Sequence, residues 1–184
     1  TIGATKPTTT YFRRTFDVAD ASQVKLLEVQ AKFPQGAVLY ATGIEVGRRN
    51  MPAGTITSAT PASTYVGGAE DALAKAFNVP GSLLVDGANT LAVEVHGWRA
   101  GSGKVFLDLE ATTRGANGDT QPPTAPTLTA TLTAAGAELA WTPSTDDDAV
   151  AGYLISRGAS PVAVVAAGAS SFTDGSADPQ NPGD

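Results

Sequence analysis

Glycine and proline interrupt this sequence at short intervals, and no other feature constrains its fold as strongly. The chain has 184 residues, of which 20 are glycine and 12 are proline, and both residue types weaken or break a helix. Between them, apolar and polar residues alternate, which is typical of strands that bury one face. Such segments are 9–18, 23–33, 37–47, 89–96 and 104–112. Only one short segment, 67–77, has a helical pattern. We therefore expect an all-β chain.

A segment rich in glycine, proline and polar residues divides the sequence at 115–125, and its prolines predict a fairly stiff linker. Beyond it, alternation resumes in 127–132, 137–143, 151–158 and 162–168. Short strands with frequent turns favour sandwiches. We therefore predict two tandem β-sandwich domains, over residues 1–114 and 126–184.

The charge and residue content exclude several classes of function. The net charge of −6 argues against nucleic-acid and anionic membrane partners. No apolar run approaches the roughly 18 residues that a membrane-spanning helix needs. The chain has no cysteine, so it has no disulfide, thiolate metal site or cysteine nucleophile. We expect no nucleic-acid partner and no membrane insertion.

Four blocks in the first half resemble a known family. They are YFRRTFDV (11–18), GAVLYATGIEVGRRNMPAG (36–54), FNVPGSLLVDGANTLAVEVH (77–96) and VFLDLE (105–110). Together they resemble the galactose-binding-domain-like modules attached to secreted bacterial hydrolases and phosphoesterases. The resemblance implies a jelly-roll sandwich, an accessory role and, often, sugar or surface binding.

The sequence departs from that family at two turns. Pro34-Gln35-Gly36 stands where the family has Asp-Asp-Gly, and Ala41-Thr42-Gly43 stands where it has Asn-Gly. The carboxylates of a family-type cation site are therefore missing, so the turn residues do not support a structural calcium ion. We expect no cofactor.

The second half resembles a fibronectin type III domain. Residues 122–158 follow that family's first three strands, and SSFTDGSAD (170–178) matches the next strand and turn. The resemblance implies that Trp141 is the tryptophan of the second strand, packed in the core, and that Tyr153 is the tyrosine of the third strand. The family's last two strands have no counterpart in the sequence. We expect a fragment of a longer polypeptide, or else strands supplied by a docked remainder or a neighbouring subunit through β-strand complementation.

The stretch LAVEVHGWRAGSG (91–103) holds the only histidine and one of two tryptophans. Its flanking strands should pair as an antiparallel hairpin, which places Glu94, His96, Asp108 and Glu110 on one sheet face. That face could bind a cation or sugar hydroxyls, or could be an ordinary solvated face.

Trp98 follows the strand in a glycine-rich loop. There it could offer its flat ring to a sugar, with Arg99 and His96 as hydrogen-bond donors. Alternatively, it closes the end of the sandwich or lies in an interface.

Two charged segments allow a structural and a functional interpretation. GRRNMP (47–52) places Arg48, Arg49 and Asn50 in a loop, where they bind a ligand or pair with acidic strand residues. In STDDDAV (144–150), three consecutive aspartates alternate in direction and cannot all reach one cation. We expect them to cap turn amides. The candidate ligand-binding residues are thus Trp98, His96, Arg99, Glu94, Asp108, Arg48, Arg49 and Asn50, with no metal ligand among them.

Catalytic motifs are absent from the sequence. A Ser-His-Asp triad would need His96, yet no GxSxG motif is present. Glu94, Asp108 and Glu110 could supply a carboxylate pair, but no insertion predicts a cleft around them. Phosphate-loop and dinucleotide motifs are also absent. We predict a chain without catalytic residues.

Three functions fit these features. The first is an extracellular accessory module, with its signal peptide removed, that binds carbohydrate or a cell-surface polymer through loops of the first sandwich. The second is an assembly protein whose incomplete second domain takes strands from a partner. The third is a non-catalytic part of a larger secreted hydrolase or phosphoesterase that has no ligand of its own.

Overall fold

The computed structural model describes residues 6–68, 70, 73–101, 104–115, 121–158 and 160–177. These residues form antiparallel sheets and contain no α-helix, which confirms the predicted all-β sandwich architecture. The chain divides into two compact units, Thr1–Gly115 and Ala116–Asp184.

The first unit contains seven strands in the described ranges. They are β1 (Thr9–Val18), β2 (Val24–Lys32), β3 (Gly36–Ala41), β4 (Ile44–Arg49), β5 (Lys75–Pro80), β6 (Gly87–His96) and β7 (Asp108–Gly115). Two short 3-10 turns, Ala21–Gln23 and Gly81–Leu83, precede β2 and β6. A tight turn with positive φ at Thr42 and Gly43 joins β3 to β4, as the sequence predicts.

The strands form two antiparallel sheets. One has the order β1-β6-β3-β4 and the other has the order β5-β2-β7. Alternate residues of each strand point to one face, and the inward face is apolar in both sheets. Its buried side chains include Leu27, Val29, Phe33, Phe77, Val79, Leu39, Leu91, Val93 and Val95. Of the four polar residues predicted to share one face, Glu94 and His96 lie on β6 of the four-stranded sheet.

The predicted hairpin between the strands around 89–96 and 104–112 is wrong. β6 lies between β1 and β3, whereas β7 pairs with β2 in the other sheet. Because both edges of β6 are already paired, it has no edge left for β7. Asp108 and Glu110 therefore do not share a sheet with Glu94 and His96.

The helical candidate at 67–77 contains no α-helix in its described residues: residues 68 and 70 have 3-10 geometry, and the end of the candidate is a strand. Residues 75–77 belong to β5, which pairs with β2. Phe77 and Val79 are buried opposite Val29 and Leu27, so burial of alternate residues outweighs the weak helical pattern. Residues 69, 71 and 72 of the candidate lie outside the described residues.

The second unit forms two small sheets. Its strands are β8 (Leu128–Thr133), β9 (Gly136–Trp141), β10 (Gly152–Arg157), β11 (Ser160–Ala166) and β12 (Ser171–Asp174). β12, β9 and β8 form one sheet, and β10 pairs with β11 in the other. Residues 116–120 of the predicted linker and the last seven residues lie outside the described residues.

Trp141 and the aspartate run have the roles that the sequence predicts. Trp141 is buried, with its ring centroid 5.3 Å from that of Tyr153. Asp146 Oδ1 accepts hydrogen bonds from the amides of Asp148 and Ala149, each at 3.0 Å, so this side chain caps a turn.

Candidate functional site

His96 is a buried structural residue at the end of β6. Its side chain is 0% exposed, which corrects the expectation that it lies on a solvated sheet face. Nδ1 is 2.8 Å from the Thr60 carbonyl oxygen and 2.9 Å from Thr9 Oγ1. Nε2 is 3.1 Å from Glu94 Oε2. The ring thus joins β6, β1 and the segment around residue 60, and both nitrogens have partners within the chain.

Glu94 and Asp108 lie in different sheets. Glu94 is partly buried on β6, where it contacts His96 and accepts a hydrogen bond from the Tyr40 hydroxyl. The side chain of Asp108 is 72% exposed on β7 and forms an ion pair of 3.3 Å with Lys32. Such an exposed pair contributes little to stability. β6 and β7 therefore do not form the acidic cluster that the predicted hairpin would have created.

Arg48 makes hydrogen bonds to protein groups with its whole guanidinium group. Nε and Nη2 donate to the two carboxylate oxygens of Glu45, at 2.6 and 2.7 Å. Nη1 donates to the carbonyl oxygens of Pro52 and Gly54, at 2.7 and 2.9 Å. The carboxylate hydrogen bonds and charge raise the Arg48 pKa against the effect of burial. This forked arrangement fixes the segment that follows β4.

Arg49 connects the two sheets of the first unit. Its Nη2 donates to the Ala76 carbonyl oxygen at 2.6 Å, and its guanidinium carbon lies 4.7 Å from the centre of the Phe77 ring. The contact combines a hydrogen bond to β5 with a cation–π interaction. Arg49 therefore packs at the sheet edge.

Asn50 holds the loop that follows. Its backbone has a φ of 52°, a left-handed conformation that asparagine tolerates better than most residues. Its Nδ2 donates to the carbonyl oxygens of Gln35 and Thr64, and its Oδ1 accepts from Thr64 N and Thr64 Oγ1, at 2.8 to 3.2 Å. Asn50 thereby positions the segment that carries Tyr65.

Gln35 makes a second attachment to the same loop. Its Oε1 accepts from the Val66 amide at 3.0 Å, and its Nε2 donates to the Val66 carbonyl oxygen. The side-chain amide thus makes the same two hydrogen bonds to Val66 that the backbone of a paired strand residue would make. Gln35 occupies the turn at which the sequence departs from the family it resembles. Its amide side chain fixes Val66, the residue next to Tyr65.

Trp98 and Tyr65 form an exposed aromatic pair. Trp98 is 39% exposed and Tyr65 is 67% exposed, and their ring centroids are 6.1 Å apart at an interplanar angle of 69°. This edge-to-face geometry is a favourable one for aromatic rings. The guanidinium carbon of Arg99 lies 5.5 Å from the centre of the Trp98 ring. The tryptophan therefore does not close the end of the sandwich as a buried plug.

A depression of about 270 Å³ opens beside this pair. Its lining combines the two aromatic rings with backbone, amide and cationic groups. The residues are Pro34, Gln35, Tyr65, Val66, Gly67, Gly68, Trp98, Arg99, Gly101 and Lys104. Of the eight predicted ligand-binding residues, the structure brings Trp98 and Arg99 to this depression and leaves the other six elsewhere.

Tyr65 is the residue of this depression that sequence reasoning missed. It lies in an irregular segment without alternation or a motif, more than thirty residues from Trp98. Bonds from Asn50 and Gln35, and a backbone bond from Ala62 to Gly97, bring its segment to the tryptophan. The asparagine in the GRRNMP block was the one signal that could have indicated a fixed loop.

The described residues contain no group of three histidine, aspartate or glutamate side chains that could hold a metal ion. They also contain no helix that is long and apolar enough to cross a bilayer.

No family model and no curated protein matches this chain. Among solved structures, the chain is similar to an α-L-rhamnosidase of Streptomyces avermitilis that was crystallised with L-rhamnose. The TM-score is 0.40 and the sequence identity is 18%. The match covers 89% of this chain and 13% of the rhamnosidase chain, so this chain corresponds to a small part of that enzyme's length.

Proposed function

We propose that the first unit is a non-catalytic carbohydrate-binding module of a secreted bacterial protein. The observation that carries the proposal is the exposed Tyr65–Trp98 pair beside a depression with hydrogen-bonding groups. An aromatic ring packs against the C–H face of a sugar, and neighbouring polar groups bind its hydroxyls. The sequence resemblance to galactose-binding-domain-like modules supports the same role. The resemblance of the second unit to fibronectin type III domains supports an accessory spacer.

The loop that carries Tyr65 is already held in place by hydrogen bonds within the chain. Asn50 and Gln35 fix the backbone on both sides of Tyr65, and Trp98 follows directly after β6. A site whose side chains are already ordered loses less conformational entropy when a ligand binds. Binding by these rings therefore requires no refolding of the unit.

A glycan array probed with the full chain and with a Trp98→Ala variant tests this function. We expect the variant to lose at least tenfold in affinity, about 1.4 kcal/mol, for at least one class of glycan that the wild type binds. Tyr65→Ala should weaken binding in the same direction. Tyr11→Ala is the matched control, because Tyr11 is also an exposed tyrosine, at 59%, and does not line the depression.

Equal binding of every glycan by the wild type and Trp98→Ala would contradict the proposal. Incubation of the wild type with a bound polysaccharide should release no new reducing ends. Release of such ends would contradict the non-catalytic part of the proposal.

A further inference from the structure

A shallow groove of about 570 Å³ lies on the outward face of the four-stranded sheet. Its floor is formed by Ala88, Thr90 and Ala92, three consecutive outward-facing residues of β6. Alternate residues of a strand project to the same side, so three small side chains in a row leave a trough along a central strand. No residue of this groove lines the depression at Tyr65 and Trp98.

Larger residues of the neighbouring strands form the walls of the trough. Ala92 is paired with Arg13 of β1 on one side and with Tyr40 of β3 on the other. Glu94 follows Ala92 on the same face of β6. Val85, which also lines the groove, precedes the other end of β6 and is bonded through its amide and carbonyl to Asn89. The walls are therefore held by sheet pairing and side-chain bonds.

The polar groups of the groove offer both donors and acceptors. Within the described residues, no hydrogen bond or ion pair engages the Arg13 guanidinium, which is exposed. The Tyr40 hydroxyl donates to Glu94. Burial and the negative charges of Glu94 and Glu45 raise the pKa of Tyr40 to about 12, so its hydroxyl keeps its proton at neutral pH.

We propose that this groove is a second carbohydrate site, which takes an extended, neutral oligosaccharide. One cationic and one anionic side chain line it, and their charges cancel, so a ligand of either charge would meet one repulsive group. Sugar hydroxyls can bond to Arg13, Glu94 and Thr90. The aliphatic lining, Leu83, Val85, Ala88 and Ala92, matches the C–H surfaces of sugar rings.

An extended peptide is a poorer fit for the same groove. Peptides that bind sheets usually add a strand to an exposed edge. The floor strand β6 is central, with β1 and β3 paired to its two edges, so its backbone groups are not available to a further strand. Ligand recognition here must come from side chains, which suits a polyhydroxylated ligand.

NMR titration of the full, isotope-labelled chain tests the proposal. The probes are cello-, xylo- and manno-oligosaccharides, with galacturonate oligosaccharides as an acidic comparison. We expect at least one neutral series to shift the amide signals of residues 88–94 saturably, and to do so in a Trp98→Ala background. Arg13→Ala and Ala92→Leu should each weaken that binding about tenfold or more.

Arg14→Ala is the matched control, because Arg14 is the adjacent exposed arginine and lies on the opposite face of β1. It should bind as the wild type does. Unchanged amide spectra away from the substituted sites will show that each variant is folded.

Two results would contradict the proposed groove site and leave the proposed function of the Tyr65–Trp98 site, the loop-site function, unaffected. One is neutral-sugar binding that is lost in Trp98→Ala and unaffected by Arg13→Ala and Ala92→Leu. The other is tighter binding of galacturonate than of neutral oligosaccharides at residues 88–94. Conversely, sugar shifts at residues 88–94 with no shift at Tyr65 or Trp98 for any glycan that the wild type binds would support the groove and contradict the loop-site function.

Discussion

The contacts of His96 determine which ring nitrogen carries a hydrogen. The Thr60 carbonyl oxygen can only accept a hydrogen bond, and Thr9 Oγ1 already donates to the Ser58 carbonyl oxygen at 2.8 Å. Nδ1 must therefore be the donor to both.

We predict that His96 carries its proton on Nδ1, and that this N–H exchanges slowly with water because the ring is fully buried. Long-range ¹H–¹⁵N correlation spectra will check this directly, since the chain has only one histidine. A neutral ring with its hydrogen on Nε2 and none on Nδ1 would contradict the hydrogen-bond network described above.

Tyr40 provides a prediction at alkaline pH. Its pKa is raised to about 12 by burial and by nearby carboxylates, against about 10 for an unfolded tyrosine. The folded state therefore holds the proton more tightly, and the associated stability is complete below pH 10 and is lost as the pH rises to 12. We expect a loss of about 1 kcal/mol, because solvent screens the half-buried phenol.

Denaturant unfolding of the wild type and Tyr40→Phe between pH 9 and 12 will measure this loss. The stability difference between the two should shrink or reverse in favour of the phenylalanine variant above pH 10. Phenolate absorbance should also show that one of the four tyrosines titrates late, and that Tyr40→Phe removes this phase. A pH-independent difference would contradict the raised pKa.

At the scale of elements, the irregular segment between β4 and β5 depends on Asn50. Its side chain makes four hydrogen bonds to Gln35 and Thr64, and its carbonyl oxygen accepts from the Ser63 amide. The segment also needs a close approach to β3. A Cβ added to Gly36 would lie 2.8 Å from the Asn50 carbonyl oxygen and 2.9 Å from Ala62 Cβ. The aromatic pair is therefore positioned by polar contacts and by one glycine.

We predict that Asn50→Ala and Asn50→Gly both release this segment and destabilise the chain. The lost side-chain bonds should cost about 1–3 kcal/mol, and alanine should cost about 1 kcal/mol more than glycine because of the positive φ. Thermal unfolding will measure stability, and amide hydrogen exchange at Thr64 will measure release of the loop. Thr64 protection that survives both substitutions would contradict this role of Asn50.

The strands could be predicted from the sequence, but their pairing could not. Alternation identifies β1 and β6, and the turn at Thr42-Gly43 separates β3 from β4. Pairing depends on which strands lie beside β6 in the folded unit. One of these strands, β1, lies far from β6 along the chain. The hairpin prediction relied on sequence proximity alone, so it placed Asp108 beside His96. Tyr65 was beyond prediction for the same reason, because its neighbours come from distant residues.

At the scale of the whole molecule, the charge and the fold restrict the function. A net charge of −6 is unsuited to phosphate backbones, and the conspicuous polar side chains of the first unit are largely used to hold its own loops. Arg48, Arg49, Asn50 and His96 all bond within the chain. The two proposed binding surfaces, the aromatic pair and the groove along β6, are those that these contacts leave open.

The most direct test of the account is an NMR titration that follows the two tryptophan indole N–H signals as a glycan from the array is added. The chain has its own internal control, because Trp98 is exposed and Trp141 is buried in the other unit. The account predicts that the Trp98 signal shifts saturably and that the Trp141 signal stays in place. Equal shifts of both signals, or no shift of Trp98 with any glycan that binds the chain, would contradict it.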